Sequence, residues 1–244
     1  MITVSIVSHR HGQMVPRLVD QLLMLPEVAK VVVTLNVEED LVWPDLNRLV
    51  VIRNQHPKGF GANHNAAFHK CETAYFCVLN PDVLLLENPF GRLIESLSDP
   101  AVALVGPLVV APNGRVEDSI RTFPTFRSLL CKALYSSDGR YQVSYGEPDI
   151  EPDWIAGMFM LFRSADFVAL NGFDEAFFLY YEDVDICKRV WQNGRKVIAC
   201  LSIRVMHDAR RDSRKVWRYR WWHARSLLLY LVRYAGRRTS STRR

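Results

Sequence analysis

Residues 74–82 read Ala74-Tyr75-Phe76-Cys77-Val78-Leu79-Asn80-Pro81-Asp82. Six apolar residues in a row, bounded by polar ones, predict a fully buried strand rather than a half-exposed one. Asp82 then leaves the sheet at a strand's carboxyl end, where ligands of open α/β sheets collect. Because Pro81 fixes φ and Asp82 can cap the backbone, Asn-Pro-Asp alone also describes a plain turn.

Working outward, Val4–Ser8 and Val31–Asn36 are further short apolar strands, while Leu18–Leu25 and Gly61–Lys70 read as helices. Leu18, Leu22 and Leu25 would share one face of the first helix. Such alternation predicts an α/β fold with a mostly parallel central sheet flanked by helices. A chain of 244 residues, 49% hydrophobic, is enough for one substantial core. Domain limits are set at 1–208 for a catalytic body and 209–244 for a basic, aromatic-rich, helical C-terminal tail.

A second acidic motif lies at residues 172–188, where Asp174, Glu175, Glu182, Asp183 and Asp185 stand among Phe173, Phe177, Phe178, Tyr180 and Tyr181. Apolar walls raise a carboxylate's pKa toward the range in which it accepts a proton during a reaction. The plainer reading is an acidic helix start ahead of Ile186, Val190 and Trp191, with carboxylates complementing the helix dipole. Asp185 and Arg189, four apart, suit an ion pair.

The order of these segments resembles glycosyltransferase family 2, inverting sugar transferases of GT-A fold, from Val4 to about His207. The carriers are Val4–Ser8, Val31–Asn36, Gly59-Phe60-Gly61-Ala62-Asn63, Leu79–Asp82, Trp154–Leu161, the acidic segment and Val205-Met206-His207. Asn-Pro-Asp together with Gly-Phe-Gly-Ala-Asn resembles the rhamnosyltransferase-like branch of bacterial surface-polysaccharide enzymes. The resemblance implies transfer from a dTDP- or UDP-sugar to a glycan or lipid-linked acceptor, as in lipopolysaccharide synthesis. It implies Asp82 and His207 as ligands of Mg2+ or Mn2+ at the diphosphate, and Asp183 as general base, with Glu182 orienting it or meeting the acceptor. Ser8, Asn36, His64 and Asn65 join Asp82 around the nucleotide, and Trp154 and Gly157 border the sugars. Two departures fall in the nucleotide half: Leu35 stands where relatives carry an Asp for the base, and His9-Arg10-His11-Gly12 replaces a commoner Tyr-Asn pair. The glycines of Gly59-x-Gly61 lack the rest of a phosphate loop and suit a tight entry turn.

Residues 204–244 hold thirteen Lys or Arg against Asp208 and Asp212, a balance of +11, while the other 18 basic and 24 acidic residues give −6. Trp217, Tyr219, Trp221, Trp222, Tyr230 and Tyr234 interleave with those cations. Two readings stay open: contact with an anionic membrane surface, or a terminal helix packed on the core through Trp221 and Leu228. Nucleic acid is not expected as a partner, since no second recognition element is present. Cys71, Cys77, Cys131, Cys187 and Cys200 have no metal-ligand spacing. No stretch reaches the roughly 18–20 apolar residues of a membrane span, and Val4 opens a strand where a secretory leader would need a basic start. A cytoplasmic protein, peripheral at the inner face of the plasma membrane, is the expectation. Two rivals are a sugar-phosphate nucleotidyltransferase, of which His9-Arg10-His11-Gly12 would be a poor loop, and a non-catalytic membrane-associated sugar-nucleotide binding subunit, which would not need both Asp82 and Asp183.

Overall fold

The computed structural model describes residues 1–43, 47–126, 128, 139–208 and 217–235. Cys131 and most of the tail outside 217–235 therefore lie outside the described residues. Among the described residues, ten strands and six helices follow in chain order: β1 (Ile2–Ser8), α1 (Met14–Leu23), β2 (Val28–Leu35), β3 (Leu49–Arg53), α2 (Phe60–Phe68), β4 (Tyr75–Leu79), β5 (Val83–Leu85), α3 (Phe90–Ser96), β6 (Val102–Val110), β7 (Ile120–Arg121), β8 (Trp154–Ile155), β9 (Phe159–Arg163), α4 (Ser164–Ala169), α5 (Glu182–Gln192), β10 (Lys196–His207) and α6 (Trp217–Tyr234). Eight strands form one sheet in the order β3-β2-β1-β4-β9-β6-β10-β5. β9 runs antiparallel to β4 and β6, and β5 antiparallel to β10, while the other pairings are parallel. The mostly parallel α/β sheet read from the sequence is present. β7 and β8 form a separate small ribbon.

The period of two along a strand sorts the core onto both faces of the sheet. Cys77 and Leu79 of β4 and Phe159 and Leu161 of β9 join Leu18, Leu22 and Phe90 on one face. Phe76 and Val78 with Met160 and Phe162 join Phe167, Ile186 and Val190 on the other. That double burial explains the uninterrupted apolar run at β4. The first helix stops at Leu23, short of the expected Leu25, with Val15, Leu18, Val19 and Leu22 on its inner face.

One irregularity positions the site. On β10, Cys200 pairs with Pro107 of β6, yet the next paired residue, Arg204, meets Leu108. Proline has no N–H for the ladder, so the pairing breaks there and residues 201–203 bulge out. Beyond the bulge, His207 aligns with Val83 of β5, and the Asp208 N–H donates to the Asp82 carbonyl at 2.9 Å. A strand end is thereby carried to the exit of β4.

Candidate active site

The parallel strands β1, β2 and β4 end at a cleft of about 520 Å³, lined in part by His9, His11, Asn36, Phe60, Asn80 and Asp82. A neighbouring hollow of about 760 Å³ opens at the ends of β2 and β3 and shares Asn36 and Pro57 with it. Asp82 and His207 meet there, Nε2 to Oδ1 at 3.3 Å, with Glu117 4.0 Å from the other imidazole nitrogen. Burial opposes charge on both groups, yet each favours the other's ionised form. The net result is an Asp82 carboxyl held below its ordinary pKa and a His207 imidazole held above. Asp82 Oδ1 is buried without a hydrogen-bond partner, and so is His207 Nδ1, on the Glu117 side of the ring.

The second carboxylate group opens α5. The Asp183 carboxylate accepts the N–H of Gly157 at 3.0 Å and that of Val184 at 2.8 Å. Glu182 is buried beside it, and its Oε2 has no partner. Desolvation raises both carboxyls, Glu182 well above its usual range, with the neighbouring Asp183 charge adding to it. Two backbone donors favour charge on Asp183, whereas burial and the Asp183 charge both favour the protonated form of Glu182. Phe60 joins the two halves: it lines the cleft of Asp82, and a Cβ on Gly157 would lie 3.1 Å from its ring and 3.7 Å from the Asp183 Cβ. Trp154, two residues before Ala156, is half-buried and donates its ring N–H to the Thr122 carbonyl at 3.0 Å.

The turn into α5 is bent. Tyr180 and Tyr181 both have left-handed φ, 69° and 70°, a region costly for bulky residues. Helix α6 braces them. His223 lies edge-on to both rings, Tyr230 packs on Tyr181, and the Ser226 hydroxyl donates to the Leu179 carbonyl at 2.9 Å. Fully buried Asp185 ties the helices together: Arg189 pairs with it at 2.8 Å, as their spacing anticipates, and Arg233 and the Tyr234 hydroxyl arrive from α6 at 3.2 and 2.8 Å.

Several expectations need correction. His64 is not on the cleft wall. It faces the sheet, with Nδ1 2.8 Å from the Ser5 hydroxyl and its ring against Phe60, and full burial pushes its pKa down to about 3. Asn65 turns away too, clasping Phe173 through both its backbone N–H and carbonyl at 2.9 Å. Ser8 is at the strand end but wholly buried, its hydroxyl spent on Glu39. Asn36 does line both hollows, yet its amide is occupied by the Lys58 backbone, its N–H at 2.8 Å and carbonyl at 3.0 Å. The glycines of Gly59-x-Gly61 serve close approach rather than a turn: a Cβ on Gly59 would lie 2.6 Å from the Phe178 carbonyl, and one on Gly61 2.7 Å from the Phe173 Cβ. Of the two readings left open for the tail, packing through Trp221 and Leu228 is not what α6 shows: Trp222 lies on Phe178 and Tyr230 is buried, while Trp221 and Leu228 face out.

The sequence reading missed the wall that α6 builds. Arg218, Tyr219 and Trp222 line the same cleft as Asp82, and the Arg218 guanidinium stacks 4.8 Å over Trp222. Their i, i+1, i+4 spacing on a helix was the available signal.

Residues 3–167 match the glycosyl transferase family 2 model, and residues 141–209 match the N-terminal domain of galactosyltransferase. Rhamnosyltransferase WbbL of Escherichia coli is 26% identical across 96% of this chain and 93% of its own length. The N-acetylglucosaminyl-diphospho-decaprenol L-rhamnosyltransferase of Mycobacterium tuberculosis is 30% identical over 53% of this chain and 45% of its own. Among solved structures, mannosyltransferase PcManGT of Pyrobaculum calidifontis, in complex with GDP-Man and Mn2+, superposes with a TM-score of 0.66 at 16% identity, over 95% of this chain and 64% of that one. GalNAc-T7 with UDP, GalNAc and Mn2+ gives 0.64 at 15% identity, over 87% of this chain and 44% of that one. The fold is of the GT-A kind, and the chain belongs to glycosyltransferase family 2. It is a glycosyltransferase, not a nucleotidyltransferase.

Proposed function

We propose that the chain is an inverting, metal-dependent transferase that moves rhamnose or a similar hexose from a dTDP- or UDP-sugar to a hydroxyl of a lipid-linked glycan in bacterial surface-polysaccharide synthesis. Two relatives with rhamnosyltransferase names support the sugar, and the decaprenol-linked acceptor in one of those names supports the lipid. The observation that carries the reading is the division of labour across Phe60: an ionised Asp82 beside His207, and an Asp183 poised to take a proton beside Gly157.

In this reading the nucleoside lies in the hollow at the ends of β2 and β3, where Leu35 offers no carboxylate to the base. The diphosphate lies between Asp82 and Arg218, and the sugar near Phe60 and Gly157. The donor set fits a hard divalent cation, because Asp82 Oδ1 is buried without a hydrogen-bond partner and the imidazole of His207, neutral when it ligates, presents Nε2 3.3 Å away. Among the described residues no group of three metal-ligating side chains occurs, so phosphate oxygens and water would complete the shell of Mg2+ or Mn2+. Such an ion supplies a Lewis acid for the leaving diphosphate.

Asp183 takes the proton of the acceptor hydroxyl as its oxygen bonds to the anomeric carbon. The bond from that carbon to the diphosphate oxygen breaks, and the diphosphate leaves with the electron pair. Arg218 faces the charge that develops there. Attack opposite the leaving group inverts the centre, by the logic of inverting hydrolases. Glu182, whose protonated form burial favours, keeps a second charge away from Asp183. Residues 1–208 form the catalytic body in this scheme, working at the cytoplasmic face of the membrane.

The test incubates the protein with Mn2+, dTDP-rhamnose or a UDP-sugar, and N-acetylglucosaminyl-diphospho-polyprenol. NMR of the product should show the anomeric configuration opposite to the donor's, and EDTA should stop turnover. Retained configuration would overturn the single displacement.

A further inference from the structure

Helix α6 has two faces with different fates. Its inner face packs on the body through Trp222, Ser226, Tyr230 and Arg233. Its outer face leaves four large apolar side chains in solvent: Trp217 at 76% exposure, Trp221 at 49%, Leu228 at 61% and Val232 at 64%. At 3.6 residues per turn these four fall within an arc of about 60°. They form one aligned row from Trp217 to Val232 along the helix. Scattered surface apolar groups need no explanation, but an aligned stripe of this length does.

Charge says what covers it. Helix α6 contains Arg218, Arg220, Arg225 and Arg233 and no acidic residue. Arg218 and Arg220 flank the stripe on opposite sides and both are exposed. In the sequence on either side stand Arg210, Arg211, Arg214 and Lys215, then Arg237, Arg238, Arg243 and Arg244, against Asp212 alone. A second copy laid stripe to stripe would bring these cations together with no acid on the helix to meet them. A helix with an apolar stripe, Arg edges and Trp at one end matches the chemistry of a bilayer interface bearing anionic headgroups. No helix among the described residues is long and apolar enough to cross a membrane, so the helix would lie on the surface.

We infer that the outer stripe of α6 is a docking face for an anionic lipid surface, its apolar side chains entering the headgroup boundary and its arginines meeting lipid phosphates. The same helix walls the cleft with Arg218, Tyr219 and Trp222, so docking sets the cleft beside the bilayer. That orientation serves a lipid-linked acceptor and rests on the reading given above, whereas the docking does not.

Co-sedimentation tests it, using phosphatidylcholine vesicles with and without phosphatidylglycerol across a salt series. Each exposed cation near an anionic surface adds to binding, and salt screens that attraction. The wild-type protein should bind anionic vesicles at low salt and lose that binding as salt rises. Replacing Trp217, Trp221, Leu228 and Val232 together by Ser should lower partitioning by more than about tenfold, since the apolar surface that enters the headgroup boundary is lost. Arg220→Gln should flatten the salt dependence. Turnover with a short water-soluble acceptor should stay unchanged in the fourfold variant, which shows that it is folded. Equal partitioning of wild type and variant, or none at low salt, would overturn the inference. So would a wild-type dimer by light scattering that the variant splits, because the stripe would then be an interface between copies. Vesicle binding without turnover in either protein would instead refute the functional reading and leave the docking face standing.

Discussion

Asp82 and Asp183 are the same residue in opposite circumstances. Asp82 leaves β4 beside an imidazole, and its carboxyl is held low; Asp183 opens α5 beside a buried Glu182, and its carboxyl is held high. Burial acts on both in the same direction. What separates them is the partner: the His207 imidazole favours the ionised form of one, whereas two backbone N–H groups only partly offset desolvation of the other. The comparison teaches that a transferase can draw a charge anchor and a proton acceptor from one side-chain chemistry by choosing the neighbours.

The sharpest way to break the comparison is to remove the proton acceptor. Asp183→Asn keeps shape and polarity but only one of the two backbone bonds and cannot take a proton, so turnover should fall about 10²–10⁴-fold while nucleotide affinity stays near wild type. Stopped assays over a pH series add the sign: the base must be deprotonated, so wild-type turnover should rise with pH through a midpoint above the usual 3.8. Removing the charge anchor should act on binding instead. Asp82→Asn should weaken nucleoside-diphosphate affinity in Mn2+ by about 10–100-fold, about 1.4–2.7 kcal/mol, as read by calorimetry. Undiminished affinity would reduce Asp82 to a turn residue.

Glu182 sharpens the contrast with smaller effects. Its folded pKa is raised well above 4.5, so the folded chain binds this proton more tightly than the unfolded one. Stability from that proton is complete below 4.5 and is lost as pH rises toward the folded value. Glu182→Gln carries no such loss, and its melting temperature should pull ahead of wild type as pH rises from 5 to 8. The expected gain is about 2–4 °C for each kcal/mol removed. Turnover of the same variant should stay within about threefold of wild type, because Gln imitates a neutral Glu. A larger loss would mean that Glu182 works as a charge.

How much of this was legible follows from where each residue gets its partner. β1, β2 and β4 could be read because double burial writes an unbroken apolar run. Asp185–Arg189 could be read because both ends of the pair sit on one helix. Asp82 and His207 were placed by motif order, but their meeting depends on the bulge at Pro107, which joins β6, β10 and β5 and has no local signature. His64 and Asn65 were misplaced because a helix's inner face depends on the sheet beneath it. There Thr3 and Ser5 present small polar side chains instead of large apolar ones. The wall of α6 was hidden for a related reason: its aromatic residues are spread around the helix, and only the body shows which of them turn inward.

The left-handed pair Tyr180–Tyr181 has a consequence in time as well as in space. Each such residue costs about 1–3 kcal/mol and persists only when its surroundings enforce it. The enforcement comes from His223, Ser226 and Tyr230, which a ribosome delivers after the whole sheet. Chains fold from the amino end as they emerge. The sheet, the Asp82 exit and the bulge can therefore be in place before anything holds the turn, and Asp183 reaches its final aim only when α6 arrives. Competence for chemistry then comes later in time than the sheet that carries it.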